Sequence, residues 1–327
     1  MKRQLKSTAF RKSVDIILSP LTLVSAVWHK FVSSSTVRQM PVSEKIFMSV
    51  GVLPIRDHYY QPLVNPRKHL RKPLDQPRIL PGIRWNIDEQ LELLKQFRYQ
   101  DELLAIPFSK KEAGSLHFFY DNPSLCPADA EFLYSIVRHF KPRRVIEIGC
   151  GYSTLLAIQA EKKNGAENSS HSCTHICVEP YEMPWLEQLG IEVLRTKVEA
   201  LPVQTFAQLE AGDILFIDSS HMIRPQGDVL FEFLELLPTL KPGVLIHVHD
   251  VFTPRDYLKE WVVDRHIHWN EQYLLEAFLS FNDQFRIIGA VNLLKKEYGK
   301  SLEEKCPVTA GKPEDEPGSF WMVRNNK

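Results

Sequence analysis

Alternating blocks of apolar and polar residues divide the second part of the chain into short strands and longer helices. From Arg144 onward, seven apolar runs of strand length are separated mostly by segments of helical length. The runs are Val145–Ile148, His175–Val178, Ile191–Leu194, Ile214–Ile217, Val244–Val248, Phe285–Leu294 and Phe320–Val323. The helical segments include Ser153–Lys163, Gln226–Leu237 and Glu271–Phe281. Repeated strand–helix units predict an α/β fold, a seven-stranded, mostly parallel sheet with helices on both faces.

The first third of the chain has a different pattern. Residues 34–85 are rich in proline and basic residues and poor in periodicity, which predicts extended chain that wraps another surface. Helices are predicted to begin near Asn86 and again at Pro127. We therefore predict a basic, Pro-rich extension with short helices over residues 1–120, followed by the sheet domain over residues 121–327.

The extreme N-terminal segment combines a basic stretch, Met1–Lys12, with a mostly apolar one, Ile16–Trp28. The apolar stretch contains Val24-Ser25-Ala26, which is similar to a signal-peptidase site. Asp15 and Pro20 interrupt this run, which is already short for a hydrocarbon core of about 30 Å. No transmembrane helix is predicted. Two interpretations stay open, a segment packed on the protein body, which we favour, and a segment resting on a membrane surface.

Charge and cysteine content restrict the partners and the compartment. Lys plus Arg and Asp plus Glu both number 40, so net charge predicts no nucleic-acid partner. Residues 1–80 nevertheless carry 14 basic and 4 acidic side chains, which suits phosphate, anionic lipid or an acidic glycan. Five scattered cysteines are not a disulfide framework. We expect a cytoplasmic protein that contacts at most the inner face of the membrane, and the sequence predicts no oligomeric state.

The most informative motif follows the first strand and runs from Glu147 through Gly149 and Gly151 to Ser153 and Thr154. Two glycines allow the backbone to turn sharply, and the next helix offers unpaired N–H groups to a ligand. Thr154 stands where a dinucleotide fingerprint has its third glycine, which disfavours that class. The Glu147 carboxylate suits a ligand with a cationic or amine-bearing end. Glu147-x-Gly149-x-Gly151 resembles the first motif of class I S-adenosylmethionine-dependent methyltransferases.

The resemblance extends over residues 125–325 and implies a Rossmann-like fold. It also implies a set of S-adenosylmethionine-binding residues: Glu147, Gly149, Gly151, Ser153, Glu179, Glu199 and Asp218. Glu179 ends the second strand, where a carboxylate can accept the two ribose hydroxyls. Glu199 falls where the family contacts adenine. Either carboxylate alone could be a solvated helix cap, but their order and spacing favour the cosubstrate site.

Two further polar groups, Asp218-Ser-Ser-His221 and His249-Asp250, follow the fourth and fifth strands. They resemble the sites of metal-dependent O-methyltransferases acting on macrolide sugars and catechols, and of the related cephalosporin-hydroxylase-like proteins. The resemblance implies that Asp218, His249 and Asp250 bind a divalent cation, Mg or Mn. His249 replaces a usually acidic residue, and its nitrogen suits Mn, Fe, Co or Zn better than Mg. A polar cluster without an ion is the alternative.

The catalytic residues implied by this resemblance are His221 and Asp218. His221 stands where the macrolide-sugar enzymes have their general base, and an imidazole can accept a hydroxyl proton near neutral pH. The alternative is a histidine that caps the following turn. If His221 is not the base, Asp218 and His249 are the next candidates.

The resemblance specifies the acceptor substrate less closely than it specifies the cosubstrate. The segments Gly51–Tyr60 and Phe252–Asp256 resemble methyltransferases of bacterial surface-polysaccharide gene clusters, which implies O-methylation of a sugar or glycan hydroxyl. Trp269 and Asn270 begin a helix where the family builds its acceptor pocket, although they equally suit a hydrophobic staple and an N-cap. The competing hypotheses are a non-catalytic methyltransferase-like binding protein and a metal-dependent oxygenase-like member of the fold.

Overall fold

The seven apolar runs form the strands of one sheet in a computed structural model of the protein. The structure describes residues 2–34, 40–63, 65–113 and 116–325. The strands are β1 Arg144–Ile148, β2 Thr174–Val178, β3 Glu192–Leu194, β4 Ile214–Ile217, β5 Leu245–Val248, β6 Phe285–Ala290 and β7 Phe320–Arg324. One predicted run, Phe285–Leu294, becomes helical after Ala290, because an apolar run alone does not separate a buried strand from a buried helix.

The strand order is β3-β2-β1-β4-β5-β7-β6, and β7 is antiparallel to both of its neighbours. The other neighbouring pairs are parallel, which confirms the predicted Rossmann-like α/β fold. The order reverses between β1 and β4, and such a reversal opens a crevice outside the carboxyl ends of the strands. The segments that follow β1, β2, β4 and β5 therefore meet at one edge of the sheet.

Helices and two clusters of buried apolar side chains cover both faces of the sheet. The helices are α1 Lys2–Ser34, α2 Pro41–Val50, α3 Pro66–His69, α4 Ile87–Gln96, α5 Gln100–Leu104, α6 Lys110–Ala113, α7 Pro127–Phe140, α8 Tyr152–Glu167, α9 Asp228–Leu230, α10 Glu271–Leu279 and α11 Val291–Lys305. Trp321 belongs to the cluster beneath α7 and α8, and Met322 to the cluster on the opposite face. This alternation along β7 follows from the two-residue period of a strand.

The structure falls into two compact units, and the division lies between Lys72 and Pro73. Residues 73–120, which the sequence analysis grouped with the N-terminal extension, lie in the sheet unit. Phe97 and Leu103 from this segment are completely buried in the cluster that contains α7. Apolar periodicity indicated the helices but not the surface on which they pack.

The N-terminal unit is more helical than predicted. The expectation that residues 34–85 contain only extended chain is wrong at α2, because Pro41 lies in its first turn, where the missing N–H costs little. Gly51 ends this helix with φ 77°, a conformation that glycine adopts readily. In α1 the helix continues through Pro20, and Ala9–Ser33 is long and apolar enough, by length and composition alone, to cross a membrane. A signal sequence meets the same criteria.

Candidate functional site

A cavity of about 560 Å³ lies at the carboxyl ends of β1, β2 and β4. Its lining includes six of the seven residues predicted to bind a cosubstrate: Gly149, Gly151, Ser153, Glu179, Glu199 and Asp218. Its volume is in the range of small-molecule and cofactor sites, which is about 300–1,000 Å³. Motifs that are separated along the chain therefore line one cavity in the fold.

Gly149 is required by the neighbouring strand rather than by the cavity. Its φ is +75°, and a Cβ at this position would lie 1.8 Å from the backbone oxygen of Asp218. The backbones of the β1 and β4 ends also hydrogen-bond, since the Asp218 N–H donates to Ile148 O at 2.8 Å. No side chain fits between these two segments unless the backbone moves.

Gly151 lies in a more open position at the start of α8. A Cβ there would meet only the Met183 methyl group, at an ordinary 3.9 Å. Thr154, at the position of the missing third glycine, accepts the Gly151 N–H on its hydroxyl at 3.1 Å. Thr154 thus caps the helix that begins at the cavity.

We expect Gly149→Ala to lower the free energy of unfolding by about 3 kcal/mol or more, because it combines a positive φ with a backbone clash. Thermal or urea unfolding measures this loss. Gly151→Ala is the matched control and should unfold within about 1 kcal/mol of the unmodified protein. Equal stability of the two variants would show that the β1–β4 approach is not as tight as described.

Glu179 joins the glycine loop to the loop after β2. Its Oε1 accepts the N–H groups of Tyr181 and Glu182, both at 2.9 Å, and its Oε2 accepts the Cys150 N–H at 3.3 Å. A carboxylate has about four acceptor positions, so one position is left for a ligand hydroxyl. Glu179 is therefore held in place by backbone groups at the wall of the cavity.

Glu147 is placed beneath the loop and does not line the cavity. Its carboxylate is 1% exposed, accepts the Ser153 hydroxyl and lies 3.0 Å from His175 Nε2, while His175 Nδ1 lies 2.8 Å from Glu161. Burial alone lowers the pKa of His175, but Glu161, Cys177 and Glu147 together raise it well above its ordinary value. The side chain that Glu147 meets in this structure is thus His175, and the contact of Glu147 with a cosubstrate stays a prediction.

The carboxylates of Asp218 and Asp250 converge on His221. His221 Nε2 lies 3.2 Å from Asp218 Oδ1 and 3.5 Å from Asp250 Oδ2, and the potential ligand atoms of these three residues lie within 4.8 Å of one another. On the other ring edge, Nδ1 lies 2.8 Å from the Glu271 carboxylate. Burial lowers the pKa of His221, but Asp218 and Glu271 raise it well above the ordinary value.

His249, which the sequence analysis placed in the metal set, lies farther from its neighbours. Its Nε2 is 3.8 Å from Asp250 Oδ1, and its buried Nδ1 has no hydrogen-bond partner among the residues that the structure describes. His249 lines the main cavity and also a second cavity of about 250 Å³. It therefore marks the boundary between two spaces, and His221 lines neither of them.

The residues after β5 hold this arrangement in place. The Asn270 side-chain oxygen accepts the Ile223 N–H at 2.6 Å, and the Trp269 ring lies 4.3 Å from the His221 ring. Neither residue lines the two cavities, so both brace the His221 loop. Asn270 is the N-cap residue of α10, as the sequence allowed, but its side chain makes no capping hydrogen bond to that helix.

Two buried carboxyl groups near His221 were missed by the sequence analysis. Glu271 is the first residue of α10, and Glu232 accepts the Ser219 hydroxyl at 3.0 Å. Burial raises the pKa of Glu232 well above its ordinary value, and Glu271 and Asp228 add to the rise. A glutamate in a helix is ordinarily solvent-exposed, so no local pattern in the sequence indicated that these two are buried.

Comparison with known proteins supports one class of function. Residues 146–251 match the family model described as a methyltransferase domain. The chain is also similar to an uncharacterized protein of Archaeoglobus fulgidus, with 23% identity over 203 residues that cover 59% of this chain and 90% of the relative. The matched range begins in β1 and ends just after β5, so it contains the glycine loop and both polar strand ends.

Proposed function

We propose, from the methyltransferase domain over residues 146–251, that this protein transfers a methyl group from S-adenosylmethionine to an acceptor oxygen and releases S-adenosylhomocysteine. The observation that carries the proposal is the cavity of about 560 Å³ at the reversal of strand order, lined by six residues expected to bind this cosubstrate. The protein's main contribution would be alignment of the sulfonium methyl group with the nucleophile.

Binding of S-adenosylhomocysteine tests the cosubstrate assignment directly. We expect calorimetric titration to detect binding, and Glu179→Gln to weaken it by about 1–3 kcal/mol, because a charged hydrogen-bond acceptor is lost. Glu192→Gln, on the exposed end of β3, is the matched control and should bind as the unmodified protein does. Absence of binding at millimolar ligand would contradict the proposal and favour the non-catalytic or oxygenase-like alternatives.

The second cavity is proposed to hold the acceptor. It shares Ser124, Leu125 and His249 with the main cavity, so a ligand in each would meet at this boundary. A sugar or glycan hydroxyl is the proposed nucleophile, as implied by the resemblance of Gly51–Tyr60 and Phe252–Asp256 to methyltransferases of polysaccharide gene clusters.

The donor set fits a divalent cation, which we propose is held by Asp218, His221 and Asp250. Their ligand atoms already converge, and Glu271 fixes His221 Nδ1 so that Nε2 faces the two carboxylates. A histidine that donates its second N–H to a carboxylate is the usual support of a metal ligand. When bound, Mg or Mn would lower the pKa of an acceptor hydroxyl and fix the orientation of that hydroxyl.

For the proton acceptor we propose His249 rather than the predicted His221. Both nitrogens of His221 face carboxylates, and His221 lines neither cavity. His249 lies at the boundary of the cavities and carries a buried nitrogen without a partner among the described residues. The roles that the sequence assigned to the two histidines are thereby exchanged.

For the N-terminal unit we propose peripheral contact with the inner face of the membrane through α1. Its apolar side chains are exposed, with Ile17 73% and Leu21 66% accessible, and five cations lie within its first 11 residues. A helix with apolar and basic side chains binds anionic bilayers in two ways. Its apolar side chains insert into the bilayer, and its basic side chains are attracted to the anionic lipid headgroups.

Deletion of residues 2–34 should abolish co-sedimentation with vesicles of anionic lipid, while the unmodified protein sediments with them. Raised salt should weaken binding because it screens the basic side chains. A double variant, Arg11→Gln with Lys12→Gln, keeps the apolar surface and should show reduced but measurable binding. If the deleted protein still sediments, or if neither protein does, the contact with anionic membrane is wrong.

A further inference from the structure

The second cavity, hereafter the acidic cavity, is strongly biased in charge. Along its lining in the described part of the chain, five carboxylates face one lysine. The carboxylates are Asp121, Asp129, Asp250, Asp315 and Glu316, and the lysine is Lys312. An excess of one sign of charge along a cleft favours a ligand of the opposite sign.

Three of these carboxylates are already compensated by the protein, and Asp250 is one of them, because it lies 3.5 Å from His221 Nε2 and 3.8 Å from His249 Nε2. Asp129 accepts the backbone N–H groups of Gly318 at 3.0 Å and Ser319 at 2.8 Å. Glu316 pairs with the Lys296 ammonium group at 2.5 Å. The negative charge of these carboxylates is therefore largely compensated within the fold.

Asp121 and Asp315 differ, since the structure records no side-chain ion pair or hydrogen bond for either among the residues it describes. Burial raises the pKa of Asp315 in spite of the nearby Lys295 and Lys312. A cation in the acidic cavity would therefore lower the electrostatic cost of burying the Asp315 carboxylate.

The walls of the acidic cavity already accommodate an ammonium group. Lys312 Nζ lies over the Phe108 ring, 5.4 Å from its centroid, which is a cation–π contact. Trp261 provides a second aromatic surface in the same lining. Aromatic surfaces beside carboxylates suit a ring that carries both C–H faces and a positive charge.

A second feature points to a ligand at the inner end of the acidic cavity. His249 is 5% exposed and keeps a buried ring nitrogen without a hydrogen-bond partner among the described residues, although buried polar atoms are usually paired. The same side chain borders the cosubstrate cavity. A polar group of a bound molecule at this end would meet both His249 and the transferred methyl group.

We propose that the acceptor carries an ammonium group in addition to the hydroxyl that is methylated, and that an amino sugar with a free amine is its chemical class. The hydroxyl would lie at the His249 end, and the ammonium group would lie against Asp315 and Asp121. This inference rests on the proposed function, because it assigns the acidic cavity to the acceptor of that reaction.

Three simple glycosides test the charge preference on the full-length protein saturated with S-adenosylhomocysteine. The probes are the methyl glycosides of glucosamine, glucose and glucuronic acid, titrated calorimetrically at neutral pH. We expect the glucosamine derivative to bind at least about tenfold more tightly than the neutral glycoside, and the glucuronide to bind most weakly. Equal affinities, the reverse order, or no binding of the amino glycoside at millimolar concentration would overturn the proposal.

Variants that remove one negative charge test whether the preference for the amino glycoside arises in the acidic cavity. Asp315→Asn should reduce the preference for the amino glycoside over the neutral glycoside by about tenfold and leave the affinity for the neutral one unchanged. Glu314→Gln removes the same charge one residue away, outside the lining, and should keep the full preference. If both variants lose the preference equally, a general surface field and not this cavity selects the charge.

The two levels of the proposal fail in different ways. If S-adenosylhomocysteine itself does not bind, the proposed function is wrong, and the glycoside order no longer concerns an acceptor. If S-adenosylhomocysteine binds and the glycosides follow the wrong order, the methyltransferase assignment stands and only the ammonium-bearing acceptor is excluded.

Discussion

Replacement of His249 by glutamine is expected to slow methyl transfer by about a hundredfold or more and to leave S-adenosylhomocysteine affinity within about twofold of normal. The reason is geometric, since among the described residues His249 is the histidine that lines both cavities, in which the proposed donor and acceptor would lie. Single-turnover methylation with labelled S-adenosylmethionine measures the rate, and calorimetry measures the affinity.

His221→Gln is the informative comparison for this variant. It is expected to lose divalent-cation affinity as well as rate, because it removes a proposed ligand and the Glu271 contact that orients it. His69→Gln, an exposed histidine of the N-terminal unit, controls for histidine loss in general. If His249→Gln turns over normally, His249 is not the proton acceptor. The role then falls to His221 or Asp218, the candidates indicated by the sequence.

The sheet and the cosubstrate motifs could be predicted because both are local patterns. A strand-length apolar run followed by a helix-length segment specifies a strand–helix unit wherever it occurs, and the motifs follow directly from strand ends. Glu179 and Asp218 each end such a run, so the fold places them at one edge. The position of Glu179 and Asp218 at strand ends was therefore sufficient to predict that both lie at the same edge of the sheet.

The direction of Glu147 required the register of two strands. Ile146 and Ile148 lie in the hydrophobic cluster on one face of β1, so Glu147 must point to the other face. On that face His175 of β2 is within reach, because Val145 pairs with His175 and Glu147 with Cys177. The alternation of side chains along β1 could have indicated that Glu147 points away from the cluster that contains Ile146 and Ile148. Its histidine partner could not be predicted, because it depends on the alignment of β1 with β2.

The different placements of His221 and His249 could not be predicted from spacing. His221 has φ 58° and Asp250 has φ 55°, and non-glycine residues adopt this left-handed region only where the surrounding structure enforces it. Such backbone turns re-aim a side chain by a large angle without any change in sequence distance. The buried Glu271, which comes from a separate helix, completes the His221 arrangement.

Chelation is expected to stop turnover completely, and Mn or Mg is expected to restore it. Asp218, His221 and Asp250 bring two carboxylates and one imidazole nitrogen within 4.8 Å of one another, and carboxylate oxygens with an imidazole are ligands that such cations accept. Direct titration of the EDTA-treated protein with Mn should show one site. Asp218→Asn and Asp250→Asn should each weaken Mn binding by about tenfold or more, because a charged ligand is lost.

Asp264→Asn, at an exposed aspartate that follows β5, is the matched control and should bind Mn normally. S-Adenosylhomocysteine titration of the chelated protein separates loss of the cation from loss of the cosubstrate site, since the glycine loop and Glu179 contribute no ligand to the proposed set. Full methylation in excess EDTA would exclude the cation. In that event the three residues act as an ion-paired cluster, in which the two aspartates stabilise a protonated His221, and His249 still has to accept the proton by itself.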